Sequence, residues 1–147
     1  MKQKSKRSHS NPFSTLYATI LFGCMALLLS GCFLKQDRTT TIYGTVTDQN
    51  GQPVDSILVI VEGVQDFRYD RLKETFSHID GRYEMVVEVP KHYSSVIVNV
   101  PYGKSENPKY MRDYVDFFVS KDGAKTNNCC SASVGRKTKY DFQLIPK

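Results

Sequence analysis

From residue 40 onward, apolar and polar residues alternate in short runs, which is the pattern of half-buried β-strands. The clearest run is residues 82–90, whose apolar side chains on one face are Tyr83, Met85, Val87 and Val89. Further apolar runs predict strands near residues 40–48, 56–61, 73–79, 95–100, 113–120 and 139–145. The run at 56–61 is apolar on both faces and predicts a strand buried on both sides. Seven short strands separated by turn formers predict an all-β, seven-stranded sandwich.

The first 31 residues have a different pattern. Four basic and no acidic residues precede an apolar run at 13–29. A basic start, an apolar run and small residues at its end predict an export signal. Removing the four basic residues of this segment from the 20 of the whole chain leaves 16, against 15 acidic residues. Because nucleic-acid binding needs a basic patch on the folded domain, a nucleic-acid partner is not predicted.

The apolar run ends in Leu29-Ser30-Gly31-Cys32, which resembles the lipobox of bacterial lipoproteins. The resemblance implies that the thiol of Cys32 receives a diacylglyceryl group and that the chain is cut before it. Several acyl chains anchor a protein stably, whereas one is marginal. We therefore predict a signal peptide at 1–31, a lipidated tether at 32–39 and one domain at 40–147.

Two other interpretations of the apolar run stay open: an uncleaved membrane-spanning helix, which needs about 20 apolar residues, and an ordinary signal cut elsewhere. Phe33 follows Cys32 directly, where lipoproteins retained at the inner membrane have aspartate. By the same resemblance, we predict a location in the cell envelope, on the periplasmic face or the cell surface of the outer membrane.

The domain itself resembles a second family. The matching segments are residues 42–54, with Gly44, Asp48, Gly51 and Pro53, residues 59–63, and residues 77–87, with Asp80-Gly81 and Tyr83. Together they resemble the carboxypeptidase-regulatory-like domain, a transthyretin-like Greek-key sandwich of structural or interaction modules. The resemblance implies no catalytic residues.

Cys129-Cys130 is the most unusual pair in the domain. Adjacent α-carbons lie about 3.8 Å apart across a trans peptide, below the usual disulfide range of about 4.4–6.8 Å. A bond between these neighbours would be strained, yet exported cysteines meet oxidants. The alternatives are two incidental thiols, a vicinal disulfide, an intermolecular link, metal capture and enzymatic modification.

A polar stretch at 102–112 displays tyrosines and cations, and a loop of this kind can bind a glycan or a protein. Its candidate binding residues are Tyr102, Lys104, Tyr110 and Arg112. The alternative is that its tyrosines pack as half-buried sandwich residues. His78 and His92 stand in no metal-ligand spacing, and neither a metal nor a cofactor is predicted.

These observations predict a non-enzymatic, lipid-anchored envelope protein that acts as a structural or protein-interaction module. Its partners would be the membrane, through the anchor, and an envelope protein. One alternative is glycan or small-ligand binding through the 102–112 loop. Another is a redox-active or enzymatically modified protein that works through Cys129 and Cys130.

Overall fold

The computed structural model describes residues 37–126 and 130–147. The predicted signal peptide, Cys32 and the tether up to residue 36 lie outside the described residues, as does Cys129. The predictions made for them therefore stay predictions.

Within the described residues, the chain forms nine strands and one short helix. In chain order they are β1 (Thr39–Thr47), β2 (Leu58–Gln65), β3 (Arg68–Phe76), β4 (Arg82–Glu88), β5 (Ser95–Asn99), α1 (Pro108–Asp113), β6 (Tyr114–Lys121), β7 (Ala124–Lys125), β8 (Ser131–Ala132) and β9 (Lys137–Pro146).

The strands form two sheets. One has the order β4-β1-β9-β6-β7 and the other the order β3-β2-β5-β8. Neighbouring strands are antiparallel except β1 and β9, which run parallel, with Ile42 opposite Thr138 and Val46 opposite Phe142. The predicted all-β sandwich is thus confirmed.

The strand count differs from the prediction, because there are nine strands instead of seven. Each of the seven predicted strands is present. The two additional strands, β7 and β8, have two residues each, too few to show an alternating pattern. Helix α1 was not predicted either, because its six residues do not complete two helical turns.

The core lies between the sheets. In β1 and β9, every second residue is buried, as expected of strands with one face on the core. The first four residues of β2 are all buried, which confirms the prediction from its unbroken apolar run. The largest fully buried side chains include Tyr110, Tyr140, Phe142, Ile42 and Met85.

The sandwich has two opposite ends, called here the proximal and the distal end. At the proximal end, β1 begins, β4 ends and β9 begins, since Thr39 pairs with Glu88 and Thr41 with Lys137. Residues 89–94 lead directly from the end of β4 to the start of β5, so β5 begins at the same end. Because β5 begins opposite Val64 of β2, the β2–β3 turn at residues 66–67 also lies there. The distal end carries the turns at 48–53 and 77–81, the loop at 101–107 and α1.

Among the described residues, no helix is long and apolar enough to cross a membrane.

Candidate functional site

The chain enters the sandwich at the proximal end, and Arg38 fixes it there. The Arg38 guanidinium donates from Nε to the carbonyl of Val89 (2.9 Å) and from Nη2 to those of Pro90 (3.1 Å) and Tyr93 (2.6 Å). In return, the backbone N–H of Val89 donates to the Arg38 carbonyl (3.2 Å). The 89–93 loop and the segment that leads into β1 are therefore held together.

Residues 135 and 136, just before β9, also bind the segment at the beginning of β1. The N–H of Gly135 donates to the buried hydroxyl of Thr40 (2.9 Å), and the N–H of Thr41 donates to the carbonyl of Arg136 (3.0 Å). At Gly135, a Cβ atom would lie 2.3 Å from the carbonyl oxygen of Asp37. Because this contact leaves no room for a side chain, the segment from Asp37 to Thr41 is closely packed.

Cys130 is one of the predicted site residues that lie within the described part of the domain. It is disulfide-bonded and 3% exposed, and its φ of 115° is unusual for a residue other than glycine. Its carbonyl accepts a hydrogen bond from the N–H of Val98 (2.9 Å), which ties this loop to β5. The proposed involvement of Cys129 stays a prediction, because that residue lies outside the described residues.

At the distal end, Asn107 attaches the 101–107 loop to β2. Its side-chain oxygen accepts from the N–H of Leu58 (3.1 Å), while its amide nitrogen donates to the carbonyls of Leu58 (3.2 Å) and Pro101 (3.4 Å). Asn107 has no exposed surface. Its amide thus satisfies the backbone N–H and carbonyl of Leu58 as a neighbouring strand would. Asn107 immediately precedes α1.

An aromatic cluster lies next to this attachment. Tyr102 stacks on Phe117 (ring centroids 6.1 Å apart) and meets Tyr110 edge-on (5.5 Å), and Phe117 meets Phe142 edge-on (5.4 Å). The hydroxyl of Tyr110 is buried and has no hydrogen-bond partner of good geometry among residues 37–126 and 130–147. Burial is the main cause that raises the pKa of Tyr110, and the adjoining Tyr102 adds to it.

The four residues of the predicted binding loop thus have different positions. Tyr102 is 56% exposed, whereas Tyr110 is 1% exposed and belongs to the core. Lys104 is exposed in the turn before α1. Arg112 forms two hydrogen bonds of 2.7 Å with the carboxylate of Asp113. The structure brings Tyr102 and Tyr110 together, with Tyr102 as the accessible member.

The outer face of β4, β1 and β9 bears an open groove of about 760 Å³. Its lining includes Tyr43, Thr45, Arg82, Glu84 and Lys139. A cation already covers the Tyr43 ring, since Nζ of Lys137 lies 4.5 Å from its centroid. Sequence reasoning did not identify this groove, because its lining combines residues of β1, β4 and β9 with the turn residues His78, Ile79 and Asp80.

No group of three or more histidine, cysteine, aspartate or glutamate side chains in the described part of the chain could hold a metal ion.

Comparison with known proteins does not identify the chain. No family model matches it, and no curated protein matches it. Among solved structures, a 9R-lipoxygenase from Cyanothece PCC8801 is 10% identical with a TM-score of 0.37, covering 90% of this chain and 23% of that one. The major pilin from Streptococcus pyogenes is 16% identical with a TM-score of 0.27, covering 74% and 48%. This chain therefore spans about a quarter of the lipoxygenase and half of the pilin, and the low scores carry no functional argument.

Proposed function

We propose that this protein is a non-enzymatic lipoprotein domain, held on an envelope membrane by lipid on Cys32, that presents its distal surface to a partner protein. The observation that supports the proposal most is the attachment of the segment before β1 to the proximal end of the sandwich. Asp37 follows Cys32 by five residues, a reach of at most about 18 Å when extended. Since Arg38 fixes this segment to the proximal end, the distal end would point away from the membrane.

The resemblance to carboxypeptidase-regulatory-like domains agrees with this proposal. Two of the motif glycines, Gly44 and Gly63, lie where the fold has no room for a side chain, whereas Gly51 lies in a turn with a positive φ of 78°. At Gly44, a Cβ atom would lie 1.7 Å from the carbonyl oxygen of Tyr140, and at Gly63 it would lie 2.6 Å from the Tyr93 ring. These contacts support a shared sandwich plan, and membership of the family remains part of the proposal.

The anchor is tested by the intact mass of the full chain extracted from its membrane in detergent. We expect a chain that begins at Cys32 and carries acyl chains, and we expect a Cys32→Ala variant to lack them. A mass that includes residues 1–31 would contradict the lipid anchor and would indicate an uncleaved, membrane-spanning signal segment instead. Alkylation before and after reduction, in the same samples, counts the thiols that Cys129 and Cys130 contribute.

The distal surface is tested by a photocrosslinking amino acid at Tyr102, with the same group at Tyr69 of the β2–β3 hairpin as control. These two positions are 56% and 55% exposed. We expect one adduct of reproducible size at position 102 and not at position 69. Identical adducts at both positions, or none at either, would contradict a specific distal interface.

The groove favours a second candidate function, the binding of a small polar ligand. Its lining includes the Tyr43 ring, beside the ammonium of Lys137, and charges of both signs at Glu84 and Lys139. This site differs from the predicted 102–112 loop. Screening glycans against the full chain and a Tyr43→Ala variant tests it, and binding that is unaffected by this change would exclude the groove.

A further inference from the structure

The β2–β3 turn has an unusual backbone. Asp66 and Phe67 both have positive φ, 46° and 65°, as in the tight hairpin turns that prefer Asn-Gly or Asp-Gly. The β6–β7 turn of the same chain has that preferred pair, with Asp122 at 49° and Gly123 at 84°. A bulky side chain is unfavourable in the left-handed region. The β2–β3 turn therefore keeps an aromatic residue where glycine would fit better.

Phe67 is also the most exposed large apolar side chain among the described residues, at 95%. Exposed backbone strain with no role in the core is a reason to look for function. Tyr69, 55% exposed, follows it on β3, and Arg68 lies between them. The hairpin tip, residues 66–69, thus carries two aromatic rings and a cation into solvent.

The base of this hairpin is braced rather than loose. The ring of Tyr93 lies over Gly63 of β2, its hydroxyl donates to the carboxylate of Asp70 on β3 (3.0 Å), and the N–H of Ser94 donates to the carbonyl of Val64 (3.1 Å). Arg38 binds the carbonyl of Tyr93 in turn. The tip is therefore held at the proximal end, in fixed relation to the start of the chain.

The proximal end also carries basic side chains. Exposed Lys91 and Arg136 join Arg68 there, although exposed Asp37, Asp66 and Glu88 offset their charge. The ammonium of Lys137 is instead directed to the Tyr43 ring and Glu84. Aromatic rings with neighbouring lysines and arginines are typical of surfaces that dip into the boundary between lipid headgroups and acyl chains. Basic side chains near such a surface are attracted to anionic lipids.

We propose that the hairpin tip inserts Phe67 into the interfacial layer of the membrane that holds the lipid anchor. This inference rests on the proposed anchor at Cys32 and adds a second, orienting contact. With two attachment points, the sandwich would stand on the membrane in one orientation instead of swinging on its tether.

The chain contains no tryptophan, so one introduced indole can report on its own position. A full-length, lipidated Phe67→Trp variant is reconstituted into vesicles of phosphatidylethanolamine and phosphatidylglycerol with brominated acyl chains. The matched control is Ile79→Trp, because Ile79 is 90% exposed in the distal turn. Both changes lie on the surface, and equal denaturation midpoints would show that both variants fold.

We expect the indole at position 67 to shift to shorter emission wavelength and to be quenched by the brominated lipid, because it would lie in the interfacial layer. The indole at position 79 should keep its aqueous emission. Flotation of the vesicles reports separately on the anchor. If both variants float and neither is quenched, the anchor stands and the hairpin proposal fails.

If neither variant floats, the anchor and the hairpin proposal fail together. A blue shift at position 67 without vesicles that grows with protein concentration would indicate contact with a second copy of the chain, and it would also overturn the proposal. A Phe67→Ser change in the lipidated chain provides an independent check, since it should increase the access of trypsin to Lys91 in vesicles but not in detergent.

Discussion

The hydroxyl of Tyr83 donates a 2.7 Å hydrogen bond to the backbone carbonyl of Tyr140. This contact crosses β1, because Tyr83 lies on β4 and Tyr140 on β9, the two neighbours of β1 in the sheet. It is made beside Gly44 of β1, where a Cβ atom would lie 3.2 Å from the Tyr83 hydroxyl. A tyrosine, a glycine and a carbonyl on three successive strands thus form one interlocked contact in the sheet.

Replacing Tyr83 with phenylalanine removes the donor but keeps the ring in the core. Since Tyr83 is 2% exposed, the Tyr140 carbonyl loses a buried partner, and we expect the free energy of unfolding to fall by about 1–3 kcal/mol. Urea titration measures the change. The control is Tyr69→Phe at an exposed position, where a loss of similar size would argue against the contact as the cause.

Replacing Gly44 with alanine should be more damaging. The new methyl group would lie 1.7 Å from the Tyr140 carbonyl oxygen, which is backbone and cannot rotate away. We expect a loss of about 3 kcal/mol from this overpacking. Gly103→Ala is the control, because its nearest neighbours belong to the flexible Glu106 side chain. Equal losses in the two variants would mean that the replacement of any glycine is destabilising, and that the packing of β1 on β9 is not the cause.

An aspartate in place of Asn107 should make stability depend on pH. A carboxylate oxygen would face the carbonyls of Leu58 and Pro101, which now accept hydrogen bonds from the amide. Burial and these carbonyls should raise the pKa of the new carboxyl in the folded state. The folded protein then binds the proton more tightly than the unfolded chain does, so stability is lost as pH rises through the raised pKa.

We therefore expect Asn107→Asp to lose about 2–3 kcal/mol at neutral pH and to recover much of it towards about pH 4, near the pKa of an unfolded aspartate. Denaturation curves at several pH values test this expectation. Asn50→Asp, in an exposed turn, should show no such recovery. A pH-independent loss at position 107 would contradict the proposed role of the amide.

Alkaline pH should unfold the domain through its buried tyrosines. Burial raises the pKa of Tyr140 to about 12 and that of Tyr83 well above its ordinary value. An unfolded tyrosine ionises near pH 10. Above that pH, the unfolded chain releases protons that the folded protein keeps, so stability falls as pH rises.

Phenolate absorbance and circular dichroism, followed together against pH, test this prediction. We expect some tyrosines to ionise only together with unfolding. In concentrated denaturant, all of them should ionise near pH 10. Complete ionisation in the folded protein near pH 10 would contradict the burial of these hydroxyls.

Glycine at position 67 should stabilise the domain. It would remove the unfavourable left-handed conformation of Phe67, worth about 1 kcal/mol, and Phe67 buries almost nothing that would be lost. The reverse change in the β6–β7 turn, Gly123→Phe, should destabilise by a similar amount. Thermal unfolding of both variants measures the effects. A destabilised Phe67→Gly variant would mean that the ring makes contacts within the domain.

Much of the sheet structure is visible in the sequence, because strands with one buried face must alternate. Strand β4 shows this most clearly, with Tyr83, Met85 and Val87 inside. The sequence pattern predicts β3 at 73–79, whereas the strand spans Arg68–Phe76. As an edge strand with both faces largely exposed, it has charged residues where alternation would be expected, a common protection of sheet edges.

The candidate functional surfaces were harder to predict, since they depend on pairings between residues that are far apart in the sequence. Nothing near Asn107 indicates that it binds Leu58, which is 49 positions away. Likewise, Arg38 acts through carbonyls more than 50 positions along the chain. The exposed turn at Phe67 gives no local signal, because phenylalanine is not a turn former. Only Pro108, at the first positions of α1, is a local sign of the short helix.

The parallel pairing of β1 with β9 has a consequence for how the protein is made. Thr45 of β1 binds Asp141, 96 positions later, and β9 lies between β1 and β6 in the middle of its sheet. That sheet cannot close until residue 146 is available. Contacts of such long sequence separation slow folding. Under the export proposed above, β1 and β6 would lack the strand between them until β9 had also crossed the membrane.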